Sequence, residues 1–293
     1  MQINFEKSIL IYLQYDFRII MNTFLQNKFK KDGYIFIKNF FSVEEINELI
    51  TDIQLTSSEH VSEDLLNLGN LTFNSNIMHK SQKLREFISQ PKIVDLLSQF
   101  LGADFWVRWD QAVEKGPGAG TFPWHQDNSY SQLKDPHLQL WISLTKMTKE
   151  NGGIWMLPGS HKKLLPHDKE GCHTVYKGNT DNAEFISAEI GDIVLFSSFT
   201  LHSTTPNITD SSRWAYVIEY MKMDHIDPFV DNPRLIIAKN NQRHLEYVDH
   251  LESESHLINK IKYFDLKKSL RKFKKEFLTR NDSLKLSDQH KTL

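Results

Sequence analysis

The residues best suited to chemistry are His125 and Asp127, two positions apart, with His202 and Arg213 further along the chain. Two histidines and a carboxylate make a facial ligand set for a non-haem Fe(II), leaving open positions for a co-substrate and O2. Arg213 lies eleven residues past His202. Its guanidinium can pair bidentately with a carboxylate of such a co-substrate. Alternate residues of an extended strand face one side. The spacing therefore predicts that His125 and Asp127 reach one ion while Gln126 points away. The third ligand, His202, has to come from a separate element. The same side chains with a water also suit a catalytic zinc hydrolase. That reading stays open on spacing alone, as does a non-catalytic cupin-like binding protein.

Several elements must position these groups. Asp192 to Ser198 reads as a buried strand ending near His202. From Arg213 to Tyr220 the chain alternates: Arg213, Ala215, Val217 and Glu219 share one face, Trp214, Tyr216, Ile218 and Tyr220 the other. Leu138, Leu140, Ile142 and Leu144 alternate with Gln139, Trp141, Ser143 and Thr145, which predicts a half-buried strand whose second face lines a cavity. Tyr34 to Phe41 reads as a strand, and Ser42 with Glu45 as a capping box before a helix faced by Ile46, Leu49, Ile50 and Ile53. Pro91 suits a first helical turn and Gly102 its end, with strands expected from Asp104 onward. Lys115 to Gly120 is glycine-rich but lacks the Gly-Lys-Ser/Thr of a phosphate loop, so it reads as a turn. Residues 56–82 are expected to form an irregular loop over the site. His161 to Ala183 is expected to form a long lid or binding loop. Within it His161, His167 and His173 read as solvated, and Lys162 and Lys163 as facing water or an anionic substrate.

The chain has 293 residues and a formal net charge of −2, with a pI near 6.7. That balance argues against nucleic acid as a partner. One cysteine, Cys172, forbids an internal disulfide and fits a reducing, cytoplasmic setting. No apolar run reaches the roughly 18 residues of a membrane span. Ile9 to Leu13 is too short for a signal-peptide core, and Met21 suggests that residues 1–20 are an upstream extension or a misassigned start. The sequence thus divides into an N-terminal extension (1–21), one catalytic domain (22–255) and a basic C-terminal segment (256–293). In that last segment lysines interleave with Leu257, Ile261, Leu266, Leu270, Phe273 and Phe277 at roughly helical spacing. A helix packed on the domain is expected there. The alternative is peripheral contact with an anionic membrane. Residues 281–293 are expected to be disordered. The oligomeric state is not readable.

Four segments, in order, resemble the phytanoyl-CoA dioxygenase family within the Fe(II)/2-oxoglutarate dioxygenases. They are Phe29 to Phe41, Trp124 to Tyr130, Glu150 to His161, and Leu201 to Pro206 followed by Arg213. The resemblance spans roughly residues 22–223. It implies a mainly β domain with flanking helices, a double-stranded β-helix or jelly roll. It implies Fe(II) on His125, Asp127 and His202, with O2 as oxidant. It implies 2-oxoglutarate with its distal carboxylate on Arg213, and places Thr204, Trp141 and, less directly, Gln111 beside the same pocket. Because Asp127 is present, it implies oxygen transfer rather than halogenation. It implies a small-molecule substrate, lipid-derived or an amino-acid or natural-product intermediate, expected to be hydroxylated at an unactivated carbon with succinate and CO2 released, while desaturation and ring chemistry stay open.

Overall fold

In the computed structural model, residues 20–56, 70–225, 227–230 and 233–249 are described. The expected N-terminal extension before residue 20, the basic C-terminal helix and the tail 281–293 lie outside them. Strands β1 (Tyr34–Ile37), β2 (Leu71–Ser75), β3 (Phe105–Lys115), β4 (Phe122–His125), β5 (Leu138–Ser143), β6 (Ile154–Met156), β7 (Asp168–Glu170), β8 (His173–Val175), β9 (Glu184–Phe185), β10 (Ile193–Ser197), β11 (His202–Thr204), β12 (Arg213–Lys222), β13 (Arg234–Lys239) and β14 (Gln242–Val248) carry the fold. The major sheet runs β1-β10-β5-β12-β3-β13-β14, with β2 also paired to β3; the minor sheet runs β4-β11-β6-β9. All these pairings are antiparallel. This is the jelly roll that the resemblance implied.

Both faces of the major sheet are covered, which explains one departure from the sequence reading. Ile218, Tyr216 and Tyr220 of β12, with Leu140 and Ile142 of β5, pack against helices α1 (Val43–Thr56), α2 (Gln82–Ile88) and α3 (Pro91–Leu101) in one cluster. Ala215 and Val217 of β12, with Trp141, Val194 and Phe196, meet Ile154 and Met156 of the minor sheet in a second. The alternation on β12 is as the sequence predicts. Strand β5, by contrast, is buried along its whole length rather than half-buried, because the helices cover its Leu140 and Ile142 face while the minor sheet closes over the Gln139 and Trp141 face, which lines the cavity.

Local signals hold where chemistry is local. Ser42 and Glu45 cap α1 reciprocally: the Glu45 carboxylate accepts from Ser42 N–H (2.8 Å) and Ser42 Oγ accepts from Glu45 N–H (3.2 Å). Ile46, Leu49 and Ile53 are its buried face. Pro91 opens α3 and Gly102, at φ 85°, closes it. Strand β1 stops at Ile37, earlier than Phe41, and Asn39 turns the chain at φ 53°. Within the expected loop 56–82, Leu71–Ser75 instead forms a strand paired to β3. The loop after His161 carries the β7–β8 hairpin. Among the described residues no helix is long and apolar enough to cross a membrane.

Candidate active site

Strands β4 and β11 are neighbours, and their register sets His125 directly opposite His202. The two rings lie 4.1 Å apart, centroid to centroid. His125 Nδ1 stands 2.8 Å from the Pro123 carbonyl and His202 Nδ1 3.0 Å from the Thr200 carbonyl. A carbonyl can only accept, so each Nδ1 carries the proton and each Nε2 presents a lone pair. Both Nε2 atoms face Asp127, at 3.3 Å for His125 and 3.7 Å for His202.

Asp127 arrives there by a different route from the one spacing suggests. Strand β4 ends at His125, and Asp127 stands at φ −58° and ψ −36° before the short helix α4 (Asn128–Ser131). A turn, rather than strand alternation, swings its carboxylate back beside His125. Gln126 does point away and is fully buried. Its Nε2 donates to the carbonyls of Lys163 (2.9 Å) and Phe199, and its Oε1 accepts from Leu165 N–H (2.7 Å). Gln126 thus ties the segment around Lys163 and Leu165 to the turn that carries Asp127.

These residues fit a divalent metal ion. Ligand atoms of His125, Asp127 and His202 all lie within 4.8 Å of one another, and no other such group occurs among the described residues. Asp127 Oδ2 is buried with no hydrogen-bond partner, an expensive state for a carboxylate unless an ion takes its place. Burial penalises the Asp127 charge, while His202 and His125 in their protonated forms pull its carboxyl down to about 2. Burial drives His202 down to about 4 despite Asp127, which keeps its ring a neutral ligand.

One cavity of about 360 Å³ is lined by all seven residues that the sequence singled out: Gln111, His125, Asp127, Trp141, His202, Thr204 and Arg213. A larger groove, about 690 Å³ between Glu45, Asp52, Lys83, Glu86 and Arg243, contains none of them and no metal-binding set. At the inner end Arg213, 2 % exposed, donates from Nη2 to the Gly152 carbonyl (2.9 Å) and stands 5.9 Å from the Trp141 ring centre. Its Nε has no partner.

Sequence reasoning missed Lys115. It is the cross-strand partner of Arg213 and fully buried, and its Nζ donates to Thr204 Oγ1 at 2.8 Å. Read as the start of a glycine-rich turn, it is the last residue of β3. The signal was its inward phase with Gln111 and Val113 on that strand. Burial, then repulsion from Arg213, lowers Lys115 to about 7, and burial lowers Arg213 to about 10. Two adjacent buried basic groups, one of them bonded to a hydroxyl that lines the cavity, call for an anion.

The loop histidines are not solvated as expected. His173 is buried on the cavity wall. His167 Nε2 is 3.2 Å from Gln126 N–H, and the His161 ring packs 6.3 Å from Phe29. None joins the metal cluster.

Comparison with known proteins agrees with this geometry. A sequence model of the phytanoyl-CoA dioxygenase family matches residues 29–215. A probable alpha-ketoglutarate-dependent hypophosphite dioxygenase of Stutzerimonas stutzeri is 28% identical over 225 residues, covering 68% of this chain and 78% of that protein. An ectoine dioxygenase of Bordetella parapertussis is 22% identical over 230 residues, covering 67% and 74%. The solved structure of the epimerase SnoN with Fe3+, alpha ketoglutarate and nogalamycin RO aligns with a TM-score of 0.63 at 17% identity, covering 76% and 87%, a likeness of fold. The chain belongs to the phytanoyl-CoA dioxygenase family and, with it, is a dioxygenase dependent on iron and 2-oxoglutarate.

Proposed function

We propose that this chain hydroxylates an unactivated carbon of a small molecule, using Fe(II) on His125, Asp127 and His202 and 2-oxoglutarate anchored on Arg213. The observation that supports this reading is one cavity lined by His125, Asp127 and His202 together with the buried Arg213, whose cross-strand neighbour Lys115 bonds the lining Thr204. When bound, the iron and its co-substrate supply O2 activation coupled to decarboxylation of 2-oxoglutarate to succinate and CO2.

The protein's share follows from its own groups. Arg213 offers a fork for the distal carboxylate, Thr204 a hydroxyl, and Lys115 a second charge from behind that hydroxyl. Trp141 walls the co-substrate end and Gln111 the cavity beyond. Val217 and Ile154 in the same wall limit water around the reacting groups. A dry site strengthens each of these electrostatic contacts.

The test is succinate release under air, with Fe(II) and 2-oxoglutarate, against a screen of small-molecule substrates. Product mass should rise by one oxygen atom in step with succinate. Substrate conversion that needs zinc and consumes no 2-oxoglutarate would reject the reading.

A further inference from the structure

A second cavity, about 420 Å³, lies on the far side of Asp127 from the anion site. It shares Asp127 and Tyr130 with the first and is walled by Arg108, Trp109, His137, Glu219 and Phe229. Its size is that of a small-molecule site. Strand β12 connects the two ends: its inward stripe begins at Arg213 and ends at Glu219, so cation and acid stand on opposite sides of the metal ligands.

The polar groups here are organised and only partly satisfied. Arg108 donates from Nη1 to Glu219 Oε2 and from Nε to Asp227 Oδ2. Its charge is therefore spent on two carboxylates, and the three groups together carry net −1. The contacts of Glu219 all run through Oε2. His137 is 1 % exposed, and neither ring nitrogen makes a hydrogen bond. Its Nε2 stands 3.4 Å from Glu219 Oε2 without forming one. A buried imidazole without partners costs roughly 1–3 kcal/mol, which an occupant of the cavity recovers. Burial and then Arg108 lower His137 to about 3, so the ring is neutral and keeps a lone pair to accept with. Three aromatic faces, Trp109, Tyr130 and Phe229, complete the wall, and Phe229 is about half exposed at the rim.

We propose that this cavity is the substrate subsite and that it takes a protonated amine. The ammonium rests on Glu219 and His137 between the aromatic faces, and the neighbouring carbon lies toward Asp127. An acid acceptor, a neutral imidazole and aromatic faces suit an organic cation. No uncommitted cation in this wall can hold a phosphate or carboxylate. The proposal deepens the oxygenase reading by naming a substrate class, and rests on it only in calling the occupant a substrate.

The test uses three probes on nearly one frame: 2-phenylethylamine, its N-acetyl derivative and 3-phenylpropanoate, which are cationic, neutral and anionic. Binding to the full chain is read by calorimetric titration and saturation-transfer NMR, with and without Ni(II) and 2-oxoglutarate. The ammonium is expected to bind, with the neutral and anionic probes weaker by about tenfold or more, the usual worth of one charge-assisted hydrogen bond. Glu219→Gln should lose a similar factor, and Trp109→Leu about threefold, each with 2-oxoglutarate binding retained. Should Glu219→Gln fail to fold, the charge series and Trp109→Leu carry the test. Preference for the neutral or anionic probe, binding of none, or unchanged affinity in a folded Glu219→Gln overturns the proposal. Ammonium binding in a protein that never binds 2-oxoglutarate supports the subsite while removing the oxygenase reading, so the two failures are separable.

Discussion

At the scale of single residues the site is an exercise in opposed charges. Asp127 keeps one buried carboxylate oxygen unpartnered beside two imidazoles whose protons are fixed on Nδ1 by carbonyls. Lys115 is held near neutrality by burial and by Arg213. That second fact gives a pH prediction with a definite sign. An incoming carboxylate favours the protonated amine, so proton uptake accompanies 2-oxoglutarate binding wherever the free site is deprotonated. Affinity for 2-oxoglutarate should thus fall as pH rises through about 7. Lys115→Met should bind more weakly at pH 6 and lose most of this slope, as titrations across pH 6–9 would reveal. An identical slope in Lys115→Met would remove Lys115 from the co-substrate site. Arg213→Lys should raise the KM for 2-oxoglutarate by about tenfold or more, because an ammonium cannot reproduce the fork. An unchanged KM would reassign the carboxylate anchor. The convergence of His125, Asp127, His202 and Arg213 on one cavity was legible in the sequence, because ligand chemistry restricts residue type. Lys115 was not, because a lysine beside glycines looks like a solvated turn until strand phase turns it inward.

At the scale of elements, the site depends on loops that hold strands at fixed distance. Gly152, at φ +87°, lets the chain pass Lys115: a Cβ there would stand 2.5 Å from Lys115 Cδ and 2.9 Å from the Thr205 carbonyl. Its carbonyl also accepts from Arg213. Gly152→Ala should therefore strain the backbone by about 1–3 kcal/mol and displace both cations. The expected outcome is a lowered melting temperature together with weaker 2-oxoglutarate binding. Ser42→Ala is the contrasting case: it removes one cap at a cost of about 1 kcal/mol and should leave co-substrate affinity unchanged. Equal effects of the two substitutions on 2-oxoglutarate binding would show that Gly152 has no special role. The cap and the Pro91 and Gly102 helix bounds were readable because they depend on neighbours in sequence. The place of Asp127 in a turn, the strand Leu71–Ser75 and the full burial of β5 were not, since each is decided by what packs across from it.

At the scale of the whole molecule, the jelly roll is one scaffold with two differently furnished ends. Helices cover one face of the major sheet, and the minor sheet closes over the other to form the cavity. In the proposed site, metal and co-substrate would bind only the folded arrangement, because β4 and β11 must be paired for His125 and His202 to meet. Binding therefore stabilises the fold, by about 2.7 kcal/mol at a hundredfold excess over Kd. Ni(II) with 2-oxoglutarate should raise the melting temperature of the parent protein and leave Asp127→Ala unmoved. An equal rise in both would place the metal elsewhere. The fold class was legible as a whole because four motifs occur in one order. The substrate end was not, since its walls come from β3, α4, β12 and the segment around Phe229, which are distant in sequence.

The most direct test of the central claim is an anaerobic titration of the Fe(II)-loaded protein with 2-oxoglutarate, followed by visible absorption. A weak charge-transfer band is expected that saturates at one equivalent, is absent in His202→Ala and needs higher 2-oxoglutarate in Arg213→Lys. A protein that binds iron but develops no band, or a band unchanged in His202→Ala, would contradict it.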